Sequence, residues 1–253
     1  MKVTFLGTGT SQGVPVIACP CDVCTQGEKK DHRLRSSVLI EQDGYFVNID
    51  AGPDFRYQLL RENVKKLDAI LITHCHKDHI AGLDDVRSFN YLNRKAMDIY
   101  ALARDQEAIR REFAYAFGEN RYRGVPEFNM INISHDAFKV GKLQFIPLPV
   151  LHMKMEVLGF RIGDFSYVTD TSYIPEETLA LMKGSKVVVL NALRKKEHPS
   201  HYNLAQAVKV LELLHPEQAY LTHISHLMGF HKEVQKELPD FIHLAYDGLK
   251  IEL

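Results

Sequence analysis

The sequence predicts an α/β protein built in four layers, two β-sheets face to face with helices outside each (αββα), and three observations point there. Strand-like apolar runs recur in both halves of the chain. Each half also carries stretches with helical periodicity. No Pro/Gly/Ser-rich linker separates the halves, so residues 1–253 read as one domain.

In order, strands are expected at 3–6, 37–42 and 45–49, the last two joined by the turn Asp43-Gly44. A helix is expected over 54–62. The continuous apolar run LDAILIT, 67–73, reads as a buried strand. Helices follow near 82–90 and over 105–117, where Ile109, Phe113, Ala116 and Phe117 can share a face. The second half predicts strands at 138–140, 143–150, 157–162, 166–169, 186–190 and 218–222. Helices lie between them at 176–182 and 204–214. The end, HLAYDGLKIEL, reads as a hairpin turning at Asp247-Gly248.

Composition narrows the functional classes. The 253 residues are 45% hydrophobic and 25% charged with a net charge of −1, so no global basic field draws nucleic acid, which is not expected as a partner. The start, MKVTFLGTGTSQG, holds no signal-like apolar run, and no segment approaches the ~18 apolar residues of a membrane span. A cytoplasmic protein without a membrane partner is expected. Its four cysteines then read as thiols or metal ligands rather than disulfides.

The sharpest local signal is THCHKDH, 73–79. In extended backbone His74 and His76 project to one side and can hold one cation together. Asp78 and His79 come from the turning chain and can face a second. His152, Asp170 and His223 each follow an apolar strand, as though delivered to a common edge. The set divides into His74, His76 and His152 for one metal and Asp78, His79 and His223 for another, with Asp170 able to bridge. Each metal keeps an open position, the mark of a catalytic centre. The glycine run GTGTSQG is not a dinucleotide fingerprint, because its spacing is wrong and no helical pattern follows it.

The HxHxDH signature, followed in order by His, Asp and His, resembles the metallo-β-lactamase superfamily along essentially the whole chain. FLGTGTSQGVP and RLRSSVLI are similar to the branch holding ribonuclease Z and the phosphoribosyl cyclic phosphate phosphodiesterase of the carbon–phosphorus lyase pathway. The resemblance implies the metallo-β-lactamase fold and hydrolysis of a small, cyclic ribose phosphodiester by hydroxide activated between two divalent metals, zinc or manganese. It leans towards a homodimer. Alternatives are a ribonuclease Z-like tRNA 3′-processing nuclease, a thioesterase or lactonase, and a non-catalytic metal-binding module.

Asp78, as ligand and proton acceptor, can orient the attacking hydroxide. The leaving alkoxide needs a proton, and His198 and His201 in KKEHPSHYN are candidates. The resemblance favours His201, which matches the phosphodiesterases' non-ligand histidine. The only sizeable insertion before His152, 103–135, carries Arg104, Arg110, Arg111, Arg121 and Arg123. Asp105, Glu107, Glu112 and Glu119 offset them. It reads as a mixed-charge helix and loop rather than a basic tRNA-clamping arm.

ACPCDVC, 18–24, places Cys19, Cys21 and Cys24 together in the long loop 7–35. A redox pair lacks its βα context, and inert thiols would be less clustered, which leaves structural zinc short of one ligand. Cys75 points away from its histidine neighbours by strand alternation. His226, three residues after His223, is the better fourth ligand, with His231 as the competitor. The phosphodiesterase resemblance implies the set Cys19, Cys21, Cys24 and His226. Such a staple is expected to supply what packing cannot in so glycine-rich a loop.

Overall fold

A computed structural model describes residues 1–118 and 121–253; Glu119 therefore lies outside the described residues. Among these, the strands in chain order are β1 (Lys2–Gly7), β2 (Ser37–Gln42), β3 (Tyr45–Ile49), β4 (Ala69–Leu71), β5 (Met97–Ala101), β6 (Phe128–Asn132) and β7 (Phe138–Val140). Then come β8 (Leu143–His152), β9 (Met155–Ile162), β10 (Phe165–Val168), β11 (Val187–Asn191), β12 (Gln218–Thr222), β13 (Ile242–Leu244) and β14 (Lys250–Glu252). They form two seven-stranded sheets, ordered β14-β1-β2-β3-β4-β5-β6 and β13-β12-β11-β10-β9-β8-β7. The described helices include none long and apolar enough to cross a membrane.

Strand alternation builds the expected four layers. Phe5, Val38, Ile49 and Leu71 of the first sheet meet Phe160, Tyr167 and Val189 of the second in one inner core. Their neighbours along the chain turn outward. Leu6, Leu39, Ile70 and Ile99 pack under Phe55, Phe89 and Ile109, while Val188, Leu190 and Leu221 pack under Met182, Ala207 and Leu211. Both sheets are buried on both faces, which is why β11 can read VVVLN without a polar alternate.

The pairing within each sheet positions the site. β3 through β6 run parallel, as do β10 through β13, and the remaining neighbours are antiparallel. The carboxyl ends of β3, β4, β10 and β12 deliver Asp50, the 73–79 segment, Asp170 and His223, the end of an open parallel sheet where ligands bind. Gly52 lies against the carbonyl of Asp78, where a Cβ would stand 2.0 Å from that oxygen. Only a glycine lets the strand-end segment grip the Lys77–Ile80 helix this closely.

Several local expectations are corrected. The terminal segment is not a hairpin: β13 joins β12 in the second sheet and β14 joins β1 in the first. Gly248 donates to the Phe5 carbonyl, and the Asp247 carboxylate takes the Leu34 N–H, so the turn is a crossing between sheets. The 67–73 strand keeps ladder pairing only over Ala69–Leu71, because the residues after it leave to form the site. The 82–90 helix is a 3₁₀ turn, Leu83–Val86, leading into Arg87–Asn93. The 105–117 helix breaks at Phe113 into Ala103–Glu112 and Ala114–Phe117. The expected helix within 103–135 is present, but the segment is built into the domain rather than inserted, since its strand β6 pairs with β5 and Ile109 is core. The β5 strand escaped the sequence reading as well.

Candidate metal centre

Three of the strand-end residues adopt the left-handed backbone: Asp50 (φ 62°), Asp170 (φ 54°) and His223 (φ 55°). Non-glycine residues hold this conformation at a cost, and they do so mainly where a side chain must be aimed. All three turn inward to the same cluster. His79 Nε2 lies 3.2 Å from an Asp78 oxygen and 3.3 Å from Asp170 Oδ2. His223 Nε2 lies 3.1 Å from Asp170 Oδ1. The donor atoms of Asp78, His79, Asp170 and His223 are all within 4.8 Å of one another.

A second group adjoins through the same carboxylate, made of His152, Asp170 and His201. His74 Nε2 approaches His76 Nδ1 at 3.0 Å, and the His76 ring stands 5.2 Å from that of His152. The seven expected residues thus lie around one cluster with Asp170 common to both donor groups, but among the described residues the group containing His152 is completed by Asp170 and His201 rather than by His74 and His76. His201 Nε2 lies 3.0 Å from Asp170 Oδ1. His198 stays one step back: its Nδ1 contacts Ser200, and its ring is 5.3 Å from that of His201.

The surrounding bonds decide which nitrogen each histidine offers. His79 donates from Nδ1 to Asp50 Oδ2 at 2.7 Å, and His152 from Nδ1 to the Ser200 carbonyl at 2.8 Å. His223 Nδ1 meets Ser36 Oγ at 3.2 Å. In each case Nε2 is the nitrogen that faces the cluster, the one a metal ligand would offer. His79 Nε2 is buried without a hydrogen-bond partner, an orphan between two carboxylates. That orphan and the mixed imidazole–carboxylate donor set fit a divalent cation.

Electrostatics agree. Burial pushes the His223 imidazole down to about 4 and holds His74 well below the ordinary range, so both stay neutral, the ligating form. Burial works to raise the Asp170 carboxyl, but His223, His79 and the His201 bond outweigh it and keep it well below the carboxylate range. Against its own burial, His79 is pulled well above its usual value by Asp78, Asp50 and Asp170. The cluster carries surplus negative charge that suits a cation.

The cysteines form a separate centre. The sulfurs of Cys19, Cys21 and Cys24 and a ring nitrogen of His226 all lie within 4.8 Å of one another. His226 Nδ1 is 3.3 Å from Cys19 Sγ and 3.2 Å from Cys21 Sγ. The His226 bond draws the Cys21 thiol down to about 6, while burial pushes Cys24 up to about 11. Three sulfurs and one imidazole match a closed tetrahedral zinc site. His231 is not among them, because its Nδ1 accepts from buried Arg33 at 3.1 Å. Cys75 packs against the outer core of the first sheet. The loop 7–35 also has more support than its composition suggests. Arg33 Nη1 donates to Thr8 Oγ1 and the Ala245 carbonyl, and Gly9 bridges to Arg35 and Ile224.

Sequence reasoning missed Asp50. It is fully buried and accepts from Thr73 N, Thr73 Oγ1 and His79. The available signal was an aspartate closing β3 just as Asp170 follows β10. Asp50→Asn is expected to lower metal affinity or turnover about 10- to 100-fold, as loss of an outer carboxylate partner typically does. Metal titration of the purified variant checks it.

Residues 45–224 match the family model described as Beta-lactamase superfamily domain. An octanoyltransferase of Porphyromonas gingivalis (strain ATCC BAA-308 / W83) is 37% identical over 253 residues, 99% of this chain but 51% of that protein. The chain thus spans about half the length, or less, of the first curated relatives it matches. A solved diphosphatase of the PhnP family is 42% identical with a TM-score of 0.93, covering 100% of this chain and 97% of that one. Zinc-bound PqqB from Methylobacterium extorquens shares the fold, at 18% identity and a TM-score of 0.79 over 100% of both chains. Fold, motif order and these matches agree: the chain belongs to the metallo-β-lactamase superfamily, in its PhnP-family branch.

Proposed function

We propose that residues 1–253 act as one domain, a two-metal phosphodiesterase that hydrolyses a small phosphodiester. His74, His76 and His152 hold one divalent ion, Asp78, His79 and His223 the other, and Asp170 serves both. Zinc or manganese suits this donor set, and a further zinc sits on Cys19, Cys21, Cys24 and His226. Bound there, the metal pair supplies Lewis acidity and makes water acidic enough to attack at neutral pH. Asp78 orients that water and accepts its proton.

The observation that carries the reading is the position of His201, on the same carboxylate that joins the two ligand groups. His201 Nε2 faces Asp170 Oδ1 at the centre, and Ser200 Oγ steadies the other nitrogen at 2.8 Å. His201 then gives a proton to the leaving alkoxide. The 42%-identical diphosphatase supports phosphorus chemistry. Residues 103–135 are largely occupied by helix and β6, which favours a small substrate over folded RNA.

The test is a side-by-side rate comparison on bis(p-nitrophenyl) phosphate, a cyclic ribose phosphate, precursor tRNA and an octanoyl thioester, with and without chelator. Metal-dependent turnover of the first two is expected. Cleavage of tRNA alone favours the nuclease reading, and cleavage of the thioester alone favours an acyl hydrolase, the reading closer to the P. gingivalis relative's name. His201→Ala is expected to keep its metals and lose roughly 10²- to 10⁴-fold in rate on alkyl diesters, the usual worth of a general acid. The loss should be far smaller for p-nitrophenolate, which leaves without a proton. Equal losses on both would remove His201 from that role.

A further inference from the structure

His198 lies outside both groups of candidate donors, yet it stands at the outer end of a hydrogen-bond chain that enters the centre. Ser200 Oγ is 3.0 Å from His198 Nδ1 and 2.8 Å from His201 Nδ1, and His201 Nε2 is 3.0 Å from Asp170 Oδ1. The direction of this chain is set at its outer end. Ser200 N–H donates to His198 Nδ1 at 3.3 Å, which makes that nitrogen an acceptor. The Ser200 hydroxyl has a single hydrogen and turns it to the same acceptor, so its oxygen is left to accept from His201 Nδ1.

The backbone that carries these residues is itself held. Leu193 N donates to the Tyr202 carbonyl and Leu204 N to the Arg194 carbonyl, closing residues 194–203 into a loop. Within it the Arg194 guanidinium donates to the carbonyls of Lys196 and Glu197 at 3.2 and 2.7 Å, just before His198. The Asn203 capping box then starts the helix Leu204–Leu214. What this leaves to be aligned is the His201 ring. A flip of 180° would exchange each ring nitrogen for a carbon and forfeit the contacts to both Ser200 Oγ and Asp170.

We propose that His198 is a positioning residue for the hydrolysis: by fixing the direction of the Ser200 hydroxyl, it holds the His201 ring with Nε2 towards the centre. This rests on the reading of His201 as the general acid of a phosphodiesterase. His198 acts through Ser200 rather than on the reacting atoms.

The test compares two rates of the metal-loaded protein. One is kcat for a cyclic ribose phosphate, whose leaving group is an alkoxide; the other is kcat for bis(p-nitrophenyl) phosphate, whose leaving group departs without a proton. His198→Ala is expected to lower the ratio of the first to the second about tenfold, less than His201→Ala does. Ser200→Ala should lower it to the same extent, and the double variant no further, because both changes break one chain. His198→Asn, whose amide oxygen can replace Nδ1 as acceptor, should restore most of the ratio. A residue that merely braced the loop would slow both substrates alike. The ratio is internal to each variant, so partial loss of folded protein cancels. A ratio unmoved by His198→Ala, or losses that add in the double variant, overturns the inference while His201→Ala still lowers the ratio. A ratio unmoved by His201→Ala overturns the general-acid reading and this inference with it.

Discussion

Asp170→Asn is expected to reduce metal-dependent turnover by roughly a thousandfold, the scale of several kcal/mol of charge stabilisation. Among the described residues Asp170 is the one common to both groups of candidate donors. Its carboxylate lies within 3.3 Å of His79, 3.1 Å of His223 and 3.0 Å of His201, and Thr169 Oγ1 donates to it at 2.7 Å. An amide keeps the shape but removes the shared negative charge and offers only one acceptor atom. Metal content should fall below two per catalytic site along with the rate. Initial rates on bis(p-nitrophenyl) phosphate together with elemental analysis check both. A variant that keeps two metals and more than about a tenth of the rate would remove Asp170 as the shared ligand.

Cys21→Ser is expected to lose one zinc per chain and to lower Tm by roughly 10 °C, because a closed zinc site contributes folding energy directly and each kcal/mol moves a domain of this size by a few degrees. The effect should be concentrated around Cys19–Cys24 in the loop 7–35, which the Gly9 and Val14–Arg33 bridges hold on either side of the cysteines. Limited proteolysis should cut there first. The loop also passes Thr10 Oγ1 within 3.2 Å of His223 Nε2, so turnover should fall as well. Cys75→Ser, facing the outer core, should leave the metal count unchanged. Equal metal content in Cys21→Ser and wild type would refute the staple.

The two centres differ in how far their residues could be read in advance. THCHKDH and ACPCDVC are local, since the ligands sit two or three residues apart and strand or turn geometry alone brings them together. Long-range partners were legible only as chemistry. His226 meets Cys21 across 205 residues, and His201 meets Asp170 across 31. Asp50, Ser36 and Thr10 were not legible as site residues, because their role depends on which imidazole nitrogen they face.

Short strands failed for a related reason. β5 and β6 are five residues long and are strands mainly because a neighbour completes their hydrogen bonds. The same holds for the Asp247-Gly248 turn, whose local signal is that of a hairpin while its contacts to Phe5 and Leu34 carry it to the other sheet. By itself the sequence determined the layered αββα class and the candidate ligand residues in their order along the chain, because periodicity and donor chemistry are local properties. Only the tertiary structure decided that Asp50 accepts from His79, that Ser36 and Thr10 meet His223, and that His201 reaches Asp170. Those relations are distances between strand ends, and no local pattern encodes a distance across two sheets.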